Sequence, residues 1–93
     1  MYKVKYAKSV LTKDLPKLKS ANLVEIFLKE VEKIKSNPFL GKQLVGPLKG
    51  KRSVRINIKH RIFYIIYTEE VCEKDTVYDG TVHILQAFGH DFL

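Results

Sequence analysis

The sequence predicts an α+β fold: a twisted, mostly antiparallel four-stranded sheet with two N-terminal helices packed on one face, in the order β-α-α-β-β-β. Two observations carry this expectation. Between Ala7 and Ile34 the apolar residues recur at helical spacing, and from Lys51 onward they alternate or run continuously, with β-branched and aromatic types dominant. A third observation sets the scale. The 93 residues hold 45% hydrophobic side chains and no repeat, low-complexity tract or linker, so residues 1–93 read as a single domain.

The elements follow in order. Tyr2-Lys3-Val4-Lys5-Tyr6 alternates apolar and basic residues, as a strand with one buried face does. Ala7, Leu11, Leu15 and Leu18 then share one side of a helix, which Pro16 is expected to bend because it removes a backbone donor. Asn22 followed by Glu25 resembles a capping box, and Leu23, Ile26, Phe27, Val31 and Ile34 fall on one stripe of the second helix. Ser36-Asn37-Pro38 ends that helix, since the residue before proline avoids helical geometry. From Lys51 to Lys59 a strand is expected to turn Val54, Ile56 and Ile58 inward, and Ser53, Arg55, Asn57 and Lys59 outward. Arg61–Tyr67 reads as a central strand with Tyr64 and Tyr67 in the core, and Thr81–Phe88 as the last strand, preceded by an Asp79-Gly80 turn.

Charge points to function. Seventeen Lys and Arg against ten Asp and Glu give +7. Residues 1–68 carry sixteen of the bases and only four acids, whereas residues 69–80 carry five acids and one lysine. No acid occurs from Ser36 to Thr68, where Lys42, Lys49, Lys51, Arg52, Arg55, Lys59 and Arg61 crowd together. Such a field attracts phosphate, and an outward sheet face bearing Arg55 and Lys59 is suited to RNA. Other classes are disfavoured. The longest apolar run, Ile62–Tyr67, falls far short of the ~20 residues of a membrane span. No apolar run follows the basic N-terminus, and Cys72 is the only cysteine, so a cytoplasmic protein without a disulfide framework is expected.

Few residues are equipped for chemistry. Gly46-Pro-Leu-Lys-Gly50 matches no nucleotide-binding fingerprint, and His60, His83 and His90 lack metal-ligand spacing. No nucleophile elbow surrounds Ser9 or Ser53, and acidic neighbours disfavour a Cys72 thiolate. The remaining set suits cleavage of RNA without a metal or other cofactor. That reaction needs cations on the scissile phosphate, one group to take the 2′-OH proton and another to protonate the leaving 5′-oxygen. Arg55, His60, Arg61 and His90 are the candidates, with Lys49, Lys51 and Arg52 as further cations.

Three runs carry a resemblance to a known family: Asn37-Pro-Phe-Leu-Gly41, Gly46-Pro-Leu-Lys-Gly50, and Ser53-Val-Arg-Ile-Asn-Ile-Lys-His-Arg-Ile-Phe-Tyr64. With the closing Val82-His-Ile-Leu and Gly89-His90, the chain resembles the YoeB/Txe branch of the RelE/ParE toxin superfamily. The resemblance implies a RelE-like fold and a toxin of a two-component toxin–antitoxin pair. Such toxins cut messenger RNA in the ribosomal A site and leave a 2′,3′-cyclic phosphate. The partners implied are an antitoxin, the ribosome and mRNA, and a homodimer is left open.

By position, Arg61 after His60 matches the family's phosphate-binding arginine, Arg55 the arginine of the preceding strand, and Lys49 the lysine of the Pro-Leu-Lys motif. His90 matches the C-terminal histidine. Two departures stand out. Gly46 occupies the place of a glutamate proposed as general base, and the usual His-Tyr is His90-Asp91, with Phe92 next. The catalytic set expected is therefore His90, Arg61, Arg55 and Asp91, with Asp91 either orienting His90 or supplying the missing carboxylate. Lys49, Lys51, Arg52, Lys59 and His60 are expected to bind RNA. Two other readings compete: a ParE-type gyrase poison, and a noncatalytic RNA- or antitoxin-binding module.

Overall fold

A computed structural model describes residues 1–92. Seven strands and two helices follow in order: β1 (Lys3–Tyr6), α1 (Leu15–Ser20), α2 (Val24–Ser36), β2 (Lys42–Gln43), β3 (Arg52–Arg55), β4 (Arg61–Tyr67), β5 (Val71–Glu73), β6 (Thr76–Tyr78) and β7 (Thr81–Gln86). The main sheet has the order β1-β7-β4-β3-β2; β1 runs parallel to β7 and every other pairing is antiparallel. The α+β architecture and the four expected strands are all present. A two-residue edge strand, β2, makes the sheet five-stranded, and the acidic segment folds into a separate β5–β6 hairpin.

The helices cover one sheet face. Val10, Leu18, Phe27, Val31 and Ile34 from the helical layer meet Ile62, Tyr64, Val82 and Ile84 from the sheet, all nearly inaccessible to water. Burial on this scale, at about 25 cal/mol per Å² of apolar surface, is what holds so short a chain together. The first helical segment is not straight. It widens over Val10–Asp14, where the Leu15 amide bonds the Val10 carbonyl five residues back. Pro16 lies just beyond, and a widened turn relieves the crowding its ring imposes on the preceding turn. The same widening rotates Val10 into the core and leaves Leu11 exposed, opposite to the simple helical reading.

Three local expectations are corrected. Asn22 does not cap α2; that helix starts after Leu23 with no side-chain cap. Asn22 instead has φ 58° and ends α1, with its amide on the Lys19 carbonyl and the Leu23 amide on the Leu18 carbonyl. This is the Schellman arrangement, in which Asn is the usual substitute for Gly. The strand expected to reach Lys59 stops at Arg55, because the Asn57 side chain accepts from the Lys59 and His60 amides and folds a turn. Ile58 is consequently exposed rather than inward-facing. Tyr67, at the end of β4, is half exposed, while Tyr64 is fully buried.

Tyr64 anchors the segment between α2 and β2. Its hydroxyl donates to the Pro38 carbonyl at 2.6 Å. Burial raises its pKa above the ordinary 10.0, partly opposed by the backbone at Gly41 and the charge of Arg52. Tyr64→Phe is expected to cost about 1–3 kcal/mol, because a buried carbonyl loses its partner. The folded state favours the neutral phenol, so this contribution is complete below pH 10.0 and is lost as pH rises through the raised value. Denaturant unfolding of both proteins at neutral and alkaline pH checks this; an unchanged midpoint at neutral pH would refute it.

Candidate functional site

The antiparallel register of β3 and β4 sets Ser53 opposite Phe63 and Arg55 opposite Arg61. Side chains alternate along a strand, so with Tyr64 and Ile62 turned to the helices, these four share the other face. On β7 the pairing shifts at this point. Tyr64 pairs with Ile84, but Phe63 pairs with Gln86, leaving Leu85 as an extra residue. Such a bulge turns the side chain that follows it to the opposite face. Gln86 therefore joins Phe63 on the open face, and the chain beyond it bends back over that face.

The returning C-terminal segment closes one side of a groove of about 250 Å³, whose polar side chains are Lys42, Ser53, Arg61, His90 and Asp91. Leu44, Leu48, Phe63 and Phe92 supply its apolar lining. The Arg61 guanidinium donates to the Ser53 hydroxyl at 3.4 Å. His90 Nδ1 lies 3.5 Å from Asp91 Oδ1, and both side chains stand well out in solvent. The Phe92 ring packs edge-on against Phe63 at 5.5 Å, and Lys51 Nζ lies 5.4 Å from its centre.

Arg61 and the adjacent pair His90 and Asp91, remote from it in sequence, thus meet in one groove, with Lys51 at its rim. Arg55 lies exposed beside Arg61 on the same face. Lys49 follows the short helical turn Gly46–Leu48, and Lys59 sits in the Asn57 turn; neither lines the groove. Arg52 is engaged elsewhere. It donates to the Gly41 carbonyl at 2.9 Å and the Phe39 carbonyl at 3.4 Å, and stacks over the Phe39 ring. An even position on β3 faces the helix side with Val54, which takes Arg52 away from the groove. His60 is likewise engaged: its Nδ1 accepts from the Gly89 amide at 2.9 Å, and its ring stacks on Phe88 at 4.0 Å.

The sequence reading did not place Lys42, Ser53 or Phe63 in the site, or Gln86 under the coil that closes it. Alternation signalled the outward turn of Ser53, but nothing in the sequence marks the bulge that turns Gln86. A larger basin of about 780 Å³ lies elsewhere on the sheet, among Lys3, Lys5, Tyr67 and His83. There Lys3 is paired with Glu73, and His83 has a pKa lowered by burial and by the Lys5 charge, so the basin is less cationic than its lysines suggest. Among the described residues no three His, Cys, Asp or Glu side chains are grouped to hold a metal. No helix among them is long and apolar enough to cross a membrane.

The architecture is the fold of YoeB/ParE-type toxins. The YoeB/ParE toxin from Agrobacterium tumefaciens superposes with a TM-score of 0.76 at 22% identity, over 96% of this chain and 99% of that one. The YoeB-YefM complex from Staphylococcus aureus contains a chain that superposes at 0.69 and 18% identity, over 98% and 99%. No protein-family model matches the chain, and no curated protein matches it.

Proposed function

We propose that this protein is the toxin of a toxin–antitoxin pair and cleaves ribosome-bound messenger RNA. The observation that supports the reading best is the convergence of Arg61, His90 and Asp91 in one groove on the open sheet face. The fold shared with YoeB/ParE toxins supports the toxin role, and the complex of such a chain with YefM supports an antitoxin as partner. A chain carrying +7 would attract an acidic antitoxin segment and RNA by the same long-range field.

In the proposed reaction the 2′-oxygen attacks the adjacent phosphorus. The bond from phosphorus to the 5′-oxygen breaks, leaving a 2′,3′-cyclic phosphate and a free 5′-OH. Arg61 holds the non-bridging oxygens and offsets their growing charge, its fork steadied by Ser53. Arg55 and Lys51 add cationic field along the strand of RNA. Either Asp91 accepts the 2′-OH proton and a protonated His90 gives its own to the leaving 5′-oxygen, or Asp91 orients the imidazole from 3.5 Å while His90 takes the 2′-OH proton and passes it to the 5′-oxygen. Histidine suits either role because a neutral imidazole has a nitrogen that accepts a proton and an imidazolium has one to give. His90→Ala is expected to lower the cleavage rate by about 10²–10⁴-fold. Cleavage of a short message by purified protein, with and without programmed ribosomes, tests this; an unchanged rate removes His90 from the mechanism.

A second reading rests on Gly46. It stands where the resembling family has a glutamate, and its φ of 67° is a backbone conformation that side chains other than Gly, Asn and Asp rarely adopt. Loss of that carboxylate favours a noncatalytic toxin, such as a gyrase poison. The same assay separates the two: cutting only with a ribosome supports the nuclease, and no cutting under any condition supports the second reading.

A further inference from the structure

Residues 88–91 form a short coil that carries the His90 side chain, yet four hydrogen bonds hold its backbone. The Gly89 amide donates to His60 Nδ1 at 2.9 Å, and the Gly89 carbonyl accepts from the Arg61 amide at 2.9 Å. The Gln86 side-chain amide donates to the Phe88 carbonyl at 3.2 Å and to the Asp91 carbonyl at 2.7 Å. The His60 ring also stacks on Phe88 at 4.0 Å with an interplanar angle of 26°. These contacts bracket His90 on both sides while leaving its own side chain exposed to the groove.

The chemistry of the two anchors is specific. A backbone N–H can donate to Nδ1 only when that nitrogen carries no proton, so His60 is held as the neutral Nε2–H tautomer. Gln86 faces two carbonyls, so its amide nitrogen, not its oxygen, must point at them. The bulge at Leu85 is what turns Gln86 toward this coil, and the turn built by Asn57 is what presents His60 to it. Gly89 has φ 107°, which lets the coil pass between the two anchors.

We infer that His60 and Gln86 are positioning residues, which fix the Phe88–Asp91 coil so that His90 projects into the groove beside Arg61. This rests on the proposed nuclease reading for its effect on rate, but the anchoring itself is independent of it. In that role His60 acts through the coil rather than on RNA, with one ring nitrogen committed to Gly89 and one face to Phe88.

The test compares the wild type with His60→Ala, His60→Asn and Gln86→Ala, each checked for folding by circular dichroism. The first readout is amide hydrogen exchange across residues 86–92. His60→Ala and Gln86→Ala are expected to speed exchange at Gly89 and its neighbours at least tenfold. His60→Asn is expected to restore the wild-type rate, since an Asn oxygen sits near the place of Nδ1 and accepts the same bond. The second readout is ribosome-dependent cleavage. A displaced reacting group costs on the order of 10–10²-fold, so kcat should fall by that factor in the two alanine variants, with KM little changed and recovery in His60→Asn. Unchanged exchange in both alanine variants would overturn the proposal whatever the cleavage rates. A wild type that cuts no RNA would overturn the nuclease reading alone, and the exchange data would still decide the anchoring. A change in KM with kcat intact would return His60 to RNA contact and overturn its positioning role.

Discussion

On the proposed nuclease reading, replacing Arg61 by Ala is expected to lower ribosome-dependent cleavage by about 10²–10³-fold while leaving the protein folded. The magnitude is that of removing one preorganised donor from a site where negative charge develops. Arg61 begins β4, pairs through its backbone with Arg55 and Gly89, and keeps its guanidinium in the groove on the Ser53 hydroxyl. The backbone bonds survive the substitution, so the melting temperature should change little. Arg61→Lys keeps the charge but not the planar fork, and should recover only part of the rate. Single-turnover cleavage on programmed ribosomes, with thermal melts alongside, gives both numbers. A rate within a factor of three of the wild type would mean that other cations hold the phosphate, and the groove would lose its claim to be the site.

Gly80→Ala is expected to damage the fold rather than the chemistry. Gly80 sits where three strands meet: its carbonyl accepts from the Lys3 amide, and it leads directly into β7. A Cβ at this position would lie 2.1 Å from the Tyr67 carbonyl oxygen and 3.1 Å from the Thr68 Cα. Both are backbone atoms, so no rotamer change can make room. Overpacking of this kind costs about 1–3 kcal/mol or more, a large share of the roughly 5–15 kcal/mol that holds a domain folded. A loss of about 3 kcal/mol corresponds to a melting temperature lower by roughly 12–24 °C in a domain of this size. Gly41→Ala offers a contrast. Its Cβ would meet the Tyr64 hydroxyl at 2.1 Å and its Cζ at 2.8 Å, a clash with a side chain that is relieved only by displacing a buried ring and losing its bond to Pro38. Differential scanning calorimetry distinguishes the two, and a shift below about 3 °C for Gly80→Ala would show that the three-strand junction tolerates more than its geometry implies.

The helical stripe of α2 was readable because Phe27, Val31 and Ile34 obey one period, and a helix can satisfy that period only by facing the core. The end of β3 was not readable, because Asn57 can serve an alternating strand or fold its own turn. Its side-chain bonds to the Lys59 and His60 amides decide for the turn. Arg52 shows the same limit. Its charge is plain in the sequence, but only strand register puts it on the helix side, where the Gly41 and Phe39 carbonyls take it. Lys51, one residue earlier, remains at the groove over Phe92.

By itself the sequence determined the α+β class, the helix and central-strand positions, the cationic field and the candidacy of Arg61 and His90. These follow from composition, from periodicity and from runs of neighbouring residues, all of which are local properties of the chain. Only the tertiary structure decided which cations share a groove, that β1 lies parallel beside β7, and that Gln86 and His60 hold the coil bearing His90. Those outcomes depend on a one-residue bulge and on strand register, and a shift of one residue turns a side chain to the opposite face. No local pattern specifies such a shift; it is set by the packing of β4 against β7 and by the bonds that the bent chain can then satisfy.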